Sequence, residues 1–131
     1  PKNPPDAPVI AFDRVTLAYA GRTIVSDLSL AVGRGEIVCI IGPSGCGKTT
    51  ALRMAGGLVK PDSGTVRLLG EPLTQPRRDV AIVFQDYGKA LLPWRTAAAN
   101  VSLALEAAGT PRGEREGRIR ALLAKVGLAG H

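Results

Sequence analysis

The chain has 131 residues, about one small domain, and its 45% apolar and 21% charged residues are typical of a folded globular protein rather than a disordered segment. Its net charge of +6 comes from arginines spread along the chain and mixed with acidic residues, which argues against a nucleic-acid partner. No apolar run is long enough for a secretory signal or a membrane span, so we expect a cytosolic protein.

The chain is predicted to begin with a flexible arm and an antiparallel β region. Residues 1–8 contain several prolines and no periodicity, which is typical of an arm outside the core. Apolar and polar residues alternate over residues 9–19 and again over residues 23–32. A turn at residues 20–22 lies between them, so we predict two half-buried strands joined as a hairpin.

Two unbroken apolar runs, at residues 37–41 and 80–84, are typical of strands that are covered on both faces. A further strand is predicted between them at residues 65–69, after a segment dense in turn formers. A helix is predicted over residues 48–55, directly after a glycine-rich loop. The spacing of the two cysteines matches neither a zinc site nor a redox pair, so we expect both thiols to be reduced.

The last third of the chain is predicted to be helical. Residues 97–108 are rich in alanine and leucine, and residues 114–126 follow a break that contains glycine and proline. Arginines and glutamates are interleaved on the second helix, which is typical of a solvent-exposed face. The apolar strand at residues 37–41, the glycine-rich loop and the helix at residues 48–55 occur in the order required of an α/β protein of the P-loop type.

The strongest motif is the glycine-rich loop that precedes the first helix. It is Gly42-Pro43-Ser44-Gly45-Cys46-Gly47-Lys48-Thr49, which fits G-x-x-x-x-G-K-[ST] at every fixed position. Residues without a Cβ let backbone N–H groups turn toward phosphate oxygens, and the helix N-terminus adds positive potential. Lys48 is expected to reach the β- and γ-phosphates, and the Thr49 hydroxyl to bind Mg²⁺. An ordinary glycine-rich turn is the alternative, and the order of strand, loop and helix argues against it.

Three segments resemble the ATP-binding subunits of ABC transporters. The loop and the residue after it, Thr50, are similar to the family's Ser-Gly-x-Gly-Lys-[ST]-[ST] run, in which the second hydroxyl also contacts phosphate. Val83-Phe84-Gln85 resembles the Q-loop of the family, and residues 58–64 resemble the segment that follows its first helix. The resemblance covers nearly all of residues 9–128 and implies ATP and Mg²⁺ as cofactors.

The resemblance also implies roles for individual residues. Lys48 and Gln85 take part in catalysis, and Thr49 and Gln85 coordinate Mg²⁺, with Gln85 also contacting the attacking water and sensing the membrane subunit. Tyr19 matches the aromatic residue that stacks on adenine, a contact worth about 1–3 kcal/mol, although a tyrosine in a strand is also commonly a core residue.

The implied fold is a P-loop NTPase core of the ABC ATPase type with an N-terminal antiparallel β region and the start of a helical subdomain. Residues 1–8 form the arm in this division, residues 9–95 form the ATP-binding core, and residues 96–131 form an incomplete helical subdomain. We therefore expect a truncated version of the family's fold.

Leu91-Leu92-Pro93-Trp94, followed by Asn100-Val101, resembles the branch of the family that energises uptake of nitrate, taurine and aliphatic sulfonates. This resemblance implies that the region from Gln85 to Trp94 faces a membrane permease, and that the intact protein is a homodimer at the cytoplasmic face of the membrane. A tryptophan after a proline in a loop suits a protein contact, and a position in the core is the alternative.

Three motifs of the family have no counterpart in these 131 residues: the Leu-Ser-Gly-Gly-Gln signature, an apolar run ending in Asp-Glu, and the switch histidine. Asp86 is displaced from the end of its apolar run by Gln85, and His131 is terminal, so neither is expected to substitute. We expect the chain to bind nucleotide without hydrolysing it at a useful rate.

Two alternatives remain open at this point. One is a non-catalytic product that binds nucleotide or nothing, and the other is a small P-loop kinase. A kinase would need a second substrate pocket with arginines near the transferred phosphate, and it would not account for Phe84-Gln85 or for Leu91 to Trp94.

Overall fold

A computed structural model of the chain describes residues 7–129, with the side chains of Tyr87 and Lys89 excepted. The chain divides into two compact units, Pro1–Ile82 and Val83–His131. Most of the predicted arm and the terminal histidine lie outside the described residues. The sequence-based division after residue 95 follows the family's organisation and stays a prediction.

The first unit contains a four-stranded antiparallel sheet in the order β2-β1-β3-β4. Its strands are β1 (Ile10–Tyr19), β2 (Arg22–Val32), β3 (Ser63–Leu68) and β4 (Glu71–Pro72). The predicted N-terminal hairpin is confirmed, because β1 pairs with β2 up to Tyr19 and Arg22. Ala20 and Gly21 between them have φ of 48° and 78°, the left-handed conformation that matches a tight turn to the twist of the strands.

A helix, α1 (Lys48–Ala55), provides the other side of the first core. Met54 of α1 and Val15 of β1 are completely buried. They belong to one apolar cluster, whose other buried members are Phe12, Leu17, Val25, Val66, Leu68 and Leu73. The alternation predicted for β1 therefore places its apolar face against the helix that follows the glycine loop.

The two predicted buried strands at residues 37–41 and 80–84 are not strands in the structure, so that prediction was wrong. Ile37, Ile41 and Val83 are 96%, 89% and 91% exposed. A strand exists only where a neighbour accepts and donates its ladder hydrogen bonds, and an apolar run in a parallel sheet also needs cover on both faces. Within residues 7–129 neither run is paired with another strand.

The second unit contains three helices, α2 (Tyr87–Ala90), α3 (Ala97–Ala107) and α4 (Arg112–Lys125). The sequence predicted α3 and α4 within two residues at each end. Thr96 caps α3, because its Oγ1 accepts a hydrogen bond from the Ala99 N–H at 3.2 Å. Arg115 joins the two helices by donating to the Thr110 carbonyl at 2.8 Å and pairing with Glu106 at 2.9 Å. None of the helices in the described part of the chain is long and apolar enough to span a membrane.

We predict that Met54→Ala destabilises the first unit by about 2–5 kcal/mol, because it opens a cavity in a fully buried position. Leu52→Ala on the same helix is the control and should cost less than about 1 kcal/mol, since Leu52 is 50% exposed. Urea unfolding followed by circular dichroism measures both. Equal losses for the two variants would contradict the assignment of Met54 to the core.

Candidate nucleotide-binding site

The glycine loop runs directly into the first turn of α1. Gly47 is the N-cap of the helix with φ 96°, and its carbonyl accepts the first helical hydrogen bond from the Ala51 N–H at 2.8 Å. Gly45 has φ 80°, which is again a conformation that L side chains rarely adopt. Lys48 and Thr49 consequently lie in the first helical turn, where the sequence predicted them.

The loop is pressed against strand β2 at Gly47. A Cβ atom added at Gly47 would lie 2.7 Å from the Ile24 carbonyl oxygen and 3.1 Å from Val25 Cγ2. Any other residue at this position would have to push the loop away from the sheet. Gly47 is therefore needed for two reasons, its backbone conformation and the close approach of two backbones.

The first half of the loop folds back on itself. The Cys46 N–H donates to the Pro43 carbonyl at 3.4 Å, and a Cβ at Gly42 would lie 2.8 Å from Cys46 Sγ. A Cβ added at Gly45 would meet nothing within 4 Å. The loop therefore has a crowded side near Gly42 and an open side at Gly45.

The Lys48 ammonium lies across the mouth of this loop. Its Nζ donates to the carbonyl oxygens of Gly42 and Pro43, both at 2.7 Å, and lies 3.7 Å from Cys46 Sγ. An ammonium has three donors, and phosphate oxygens are stronger acceptors for it than neutral carbonyls because they carry the opposite charge. The geometry thus holds a cation where the motif requires one.

The start of α1 also suits an anion. The N–H groups of the first helical turn have no acceptor within the helix, and Gly47 offers no side-chain cap. The first turn contains no acidic residue that would repel a phosphate. The residues present therefore fit a bound polyphosphate, with backbone donors from the helix and a cation from Lys48.

A cleft of about 530 Å³ lies beside the loop in the first unit. Its walls come from β2 and from the exposed apolar run, including Val25, Leu28 and Ile40, and it reaches Gly47 and Lys48. Lys48 is the charged residue of this lining. We therefore expect phosphate contacts on the loop and the helix N-terminus rather than deep in the apolar cleft.

Tyr19 lies at the same end of the sheet as the loop. It is 49% exposed and pairs with Arg22 at the tip of the hairpin. Ile24, which touches Gly47, is two residues after Arg22, a distance of about 7 Å along a strand. The structure thus places the predicted adenine-stacking residue near the predicted phosphate loop, and the exposure of Tyr19 argues against a simple core role.

The remaining predicted site residues are divided between the units. Thr49 is exposed and Thr50 half-buried in the first turn of α1, whereas Gln85 is exposed in the second unit. The shared coordination of Mg²⁺ by Thr49 and Gln85 stays a prediction. Trp94, also in the second unit, is 77% exposed, which excludes the alternative that it fills the core of that unit.

Asn100 holds the loop that carries Trp94. Its Oδ1 accepts from the Leu92 N–H at 2.9 Å, and its Nδ2 donates to the carbonyls of Leu92, Arg95 and Thr96 at 3.2, 3.3 and 3.1 Å. In the sequence Asn100 is only part of the resemblance, and this role was not predicted. An asparagine in the first turn of a helix, just after a proline-containing loop, is the signal that was available.

Comparisons with known proteins identify the family of the chain and similar proteins. The family model described as ABC transporter matches residues 25–131. The chain is 40% identical over 124 residues to a taurine import ATP-binding protein of Pseudomonas entomophila, which covers 93% of this chain and 47% of that protein. It is 48% identical over 112 residues to an aliphatic sulfonates import ATP-binding protein of Burkholderia cenocepacia, with 86% and 39% covered.

Among solved structures, the fold is similar to that of the ATP-binding cassette MJ0796 in a dimeric, post-hydrolysis state bound to ADP and Pi. The TM-score is 0.79 at 29% identity, and the match covers 93% of this chain and 60% of that chain. The predicted fold class, a P-loop NTPase core of the ABC ATPase type, is confirmed. The chain spans about half the length of the curated relatives that it matches.

We predict that Asn100→Ala frees the loop at residues 91–95, because all contacts of the Asn100 amide with Leu92, Arg95 and Thr96 are lost together. Trp94 is the only tryptophan of the chain, so its fluorescence anisotropy reports on this loop alone. The anisotropy should fall and quenching by acrylamide should rise. Ser102→Ala on the same helix, which removes only the bond to Glu106, is the control and should change neither. An unchanged anisotropy in Asn100→Ala would contradict the role of the amide.

Proposed function

We propose that this chain, which belongs to the ABC transporter family, binds the triphosphate of Mg-ATP on its glycine loop. The observation that carries the proposal is the Lys48 ammonium, held by two carbonyls of the loop at the start of an uncapped helix. Bound ATP with Mg²⁺ supplies the transferable phosphoryl group and the metal charge that stabilises it. The chain's own part in this site is to bind and orient.

Each residue of the loop has a proposed task. Lys48 exchanges its carbonyl acceptors for β- and γ-phosphate oxygens, which are better acceptors because they are charged. The backbone N–H groups from Gly45 to Thr50 surround the phosphates, and the Thr49 hydroxyl is the Mg²⁺ ligand. Gln85 provides a second oxygen to the metal and orients water in catalysis.

Tyr19 is proposed to stack on the adenine ring. Its support is positional, since the hairpin tip that carries Tyr19 and the β2 segment that touches Gly47 are consecutive parts of one strand pair. A half-exposed aromatic ring near the phosphate loop offers a face to a base, and stacking of this kind contributes about 1–3 kcal/mol.

We further propose that the whole protein is the energising subunit of an importer for taurine, sulfonates or a chemically similar solute such as nitrate. The names of the two import proteins above support this, as does the exposed Leu91 to Trp94 loop. The proposed partner of the region from Gln85 to Trp94 is a membrane permease, which places the subunit at the cytoplasmic face of the membrane. A homodimer is proposed because the two similar solved cassettes are described as dimeric.

Hydrolysis by these 131 residues alone is not part of the proposal. Besides Gln85, hydrolysis needs a carboxylate beside Mg²⁺ and a glutamate positioned for the attacking water. Asp86 follows Gln85 rather than the end of the apolar run, and it stands one residue too late for the metal role. We propose that the chain holds the nucleotide without turnover, and that turnover belongs to the longer protein that its relatives represent.

We predict that Lys48→Ala weakens binding of a fluorescent ATP analogue at least about a hundredfold, because two charge-assisted hydrogen bonds are lost. Lys60→Ala, which removes an exposed lysine of the same unit, is the control and should bind like the parent. Circular dichroism should be unchanged in both variants. Equal affinity of Lys48→Ala and the parent chain would remove the nucleotide assignment.

We also predict that the purified chain releases phosphate from ATP no faster than its Lys48→Ala variant. A steady-state phosphate-release assay compares the two, with Asp86→Asn as a third sample. Clear turnover by the parent chain would contradict this prediction. If Asp86→Asn abolished that turnover, the Asp86 carboxylate would be identified as the acid at Mg²⁺, contrary to our proposal.

A further inference from the structure

The central strand β1 loses its partner β3 before it reaches Tyr19, whereas its pairing with β2 continues to the hairpin tip. The ladder between β1 and β3 ends at the pair Thr16 and Ser63. On the other edge, the register with β2 shifts between Val15 and Leu17 and again between Leu17 and Ala18. Register shifts of this kind, as in β-bulges, disrupt the ladder locally and change the direction of the residues that follow. The edge of β1 that faces β3 therefore needs another hydrogen-bonding partner just before Tyr19.

Asp62 supplies this fixation. Its carboxylate Oδ2 accepts from the Ala18 N–H at 2.8 Å, and its own N–H donates to the Thr16 carbonyl at 2.9 Å. The residue precedes β3, so its side chain extends the ladder by one position beyond the last backbone pair. A hydrogen bond to a carboxylate is stronger than one to a neutral carbonyl, which suits an exposed position.

The opposite edge of the bulge is held in a similar way. Thr16 Oγ1 accepts from the Asp27 N–H at 3.0 Å, where Asp27 of β2 has φ 47°. Both edges of β1 are thus tied by side chains at the point where backbone pairing is irregular. Tyr19 is the next residue after Ala18, so the plane of its ring depends on where the Ala18 backbone is held.

We propose that Asp62 is a positioning residue for the adenine contact of Tyr19. The inference rests on the proposed binding of ATP and adds to it a residue that touches neither the nucleotide nor the loop. Asp62 acts on the base and not on the phosphates, because its hydrogen bonds end at β1 whereas Lys48 and Gly47 are held by other contacts. Loss of the Asp62 carboxylate should therefore weaken the binding of ATP. The binding of a ligand that has no base should not change.

The test compares ATP with inorganic tripolyphosphate as competitors of a fluorescent ATP analogue on the full chain. Asp62→Ala should lower the affinity for ATP about three- to tenfold and change the affinity for tripolyphosphate by less than about twofold. Asp62→Asn, whose amide oxygen still accepts, should restore most of the ATP affinity. Asp13→Asn is the matched control, because Asp13 is a β1 carboxylate whose ion pair is with its neighbour Arg14.

Two further samples separate this inference from the proposed function. Tyr19→Ala should lower the preference for ATP over tripolyphosphate by more than Asp62→Ala, and the double variant should lower it no further, because Asp62 acts through Tyr19. A parent chain that binds neither competitor would overturn the proposed function and this inference with it. If the parent binds both competitors and Asp62→Ala keeps the same preference for ATP over tripolyphosphate, the inference alone would be overturned. Equal weakening of the binding of both competitors in Asp62→Ala would also overturn it.

Amide hydrogen exchange provides a readout that does not depend on nucleotide. Without ligand, the Ala18 amide hydrogen should exchange faster in Asp62→Ala than in the parent chain. The amide hydrogens of α1 should exchange at the same rate in both. Unchanged exchange at Ala18 would show that the carboxylate does not hold this strand, and the inference would be overturned on structural grounds.

Discussion

The contact on which the candidate site depends is the close approach of Gly47 to the Ile24 carbonyl of β2. It fixes the glycine loop against the N-terminal hairpin, and it needs a residue that has no Cβ and accepts a positive φ. Because β2 continues from the hairpin tip, the same contact brings Tyr19 and Lys48 to one end of the first unit. The buried Met54 then holds the helix that begins at the loop against the sheet.

Residues with proposed functions occur in both units. The first contains the phosphate loop and Tyr19, and the second contains Gln85 and the exposed Trp94. In each unit a segment with a proposed function, the end of β1 in the first and the loop at residues 91–95 in the second, is held by a polar side chain from outside that segment. Loops that bind ligands are commonly positioned by a rigid scaffold in this manner, because their own backbone lacks regular hydrogen-bonding partners.

Local patterns in the sequence predicted the hairpin, the helix after the loop, and both long helices of the second unit, since these elements depend on turn chemistry, caps and periodicity within a few residues. The runs at residues 37–41 and 80–84 were predicted wrongly as strands, because an apolar run shows a tendency to be buried but not which segment pairs with it. The motif located Lys48 and Thr49 correctly in the first helical turn. It gave no sign of Asp62 or Asn100, whose partners are not part of any motif.

The chemistry of these two side chains follows from the hydrogen-bonding partners that each segment lacks. At Ala18 a single N–H needs an acceptor, and a carboxylate provides one without a competing donor. At residues 92–96 one N–H and three carbonyls converge, so the side chain there must accept and donate at once, which an amide does and a carboxylate does not. Exchanging Asn100 for Asp would keep the acceptor and turn three attractive contacts into repulsion between oxygens. Asp62→Asn should therefore be tolerated better than Asn100→Asp. The first substitution keeps the acceptor for the Ala18 N–H, whereas the second removes the donors that bind the three carbonyls.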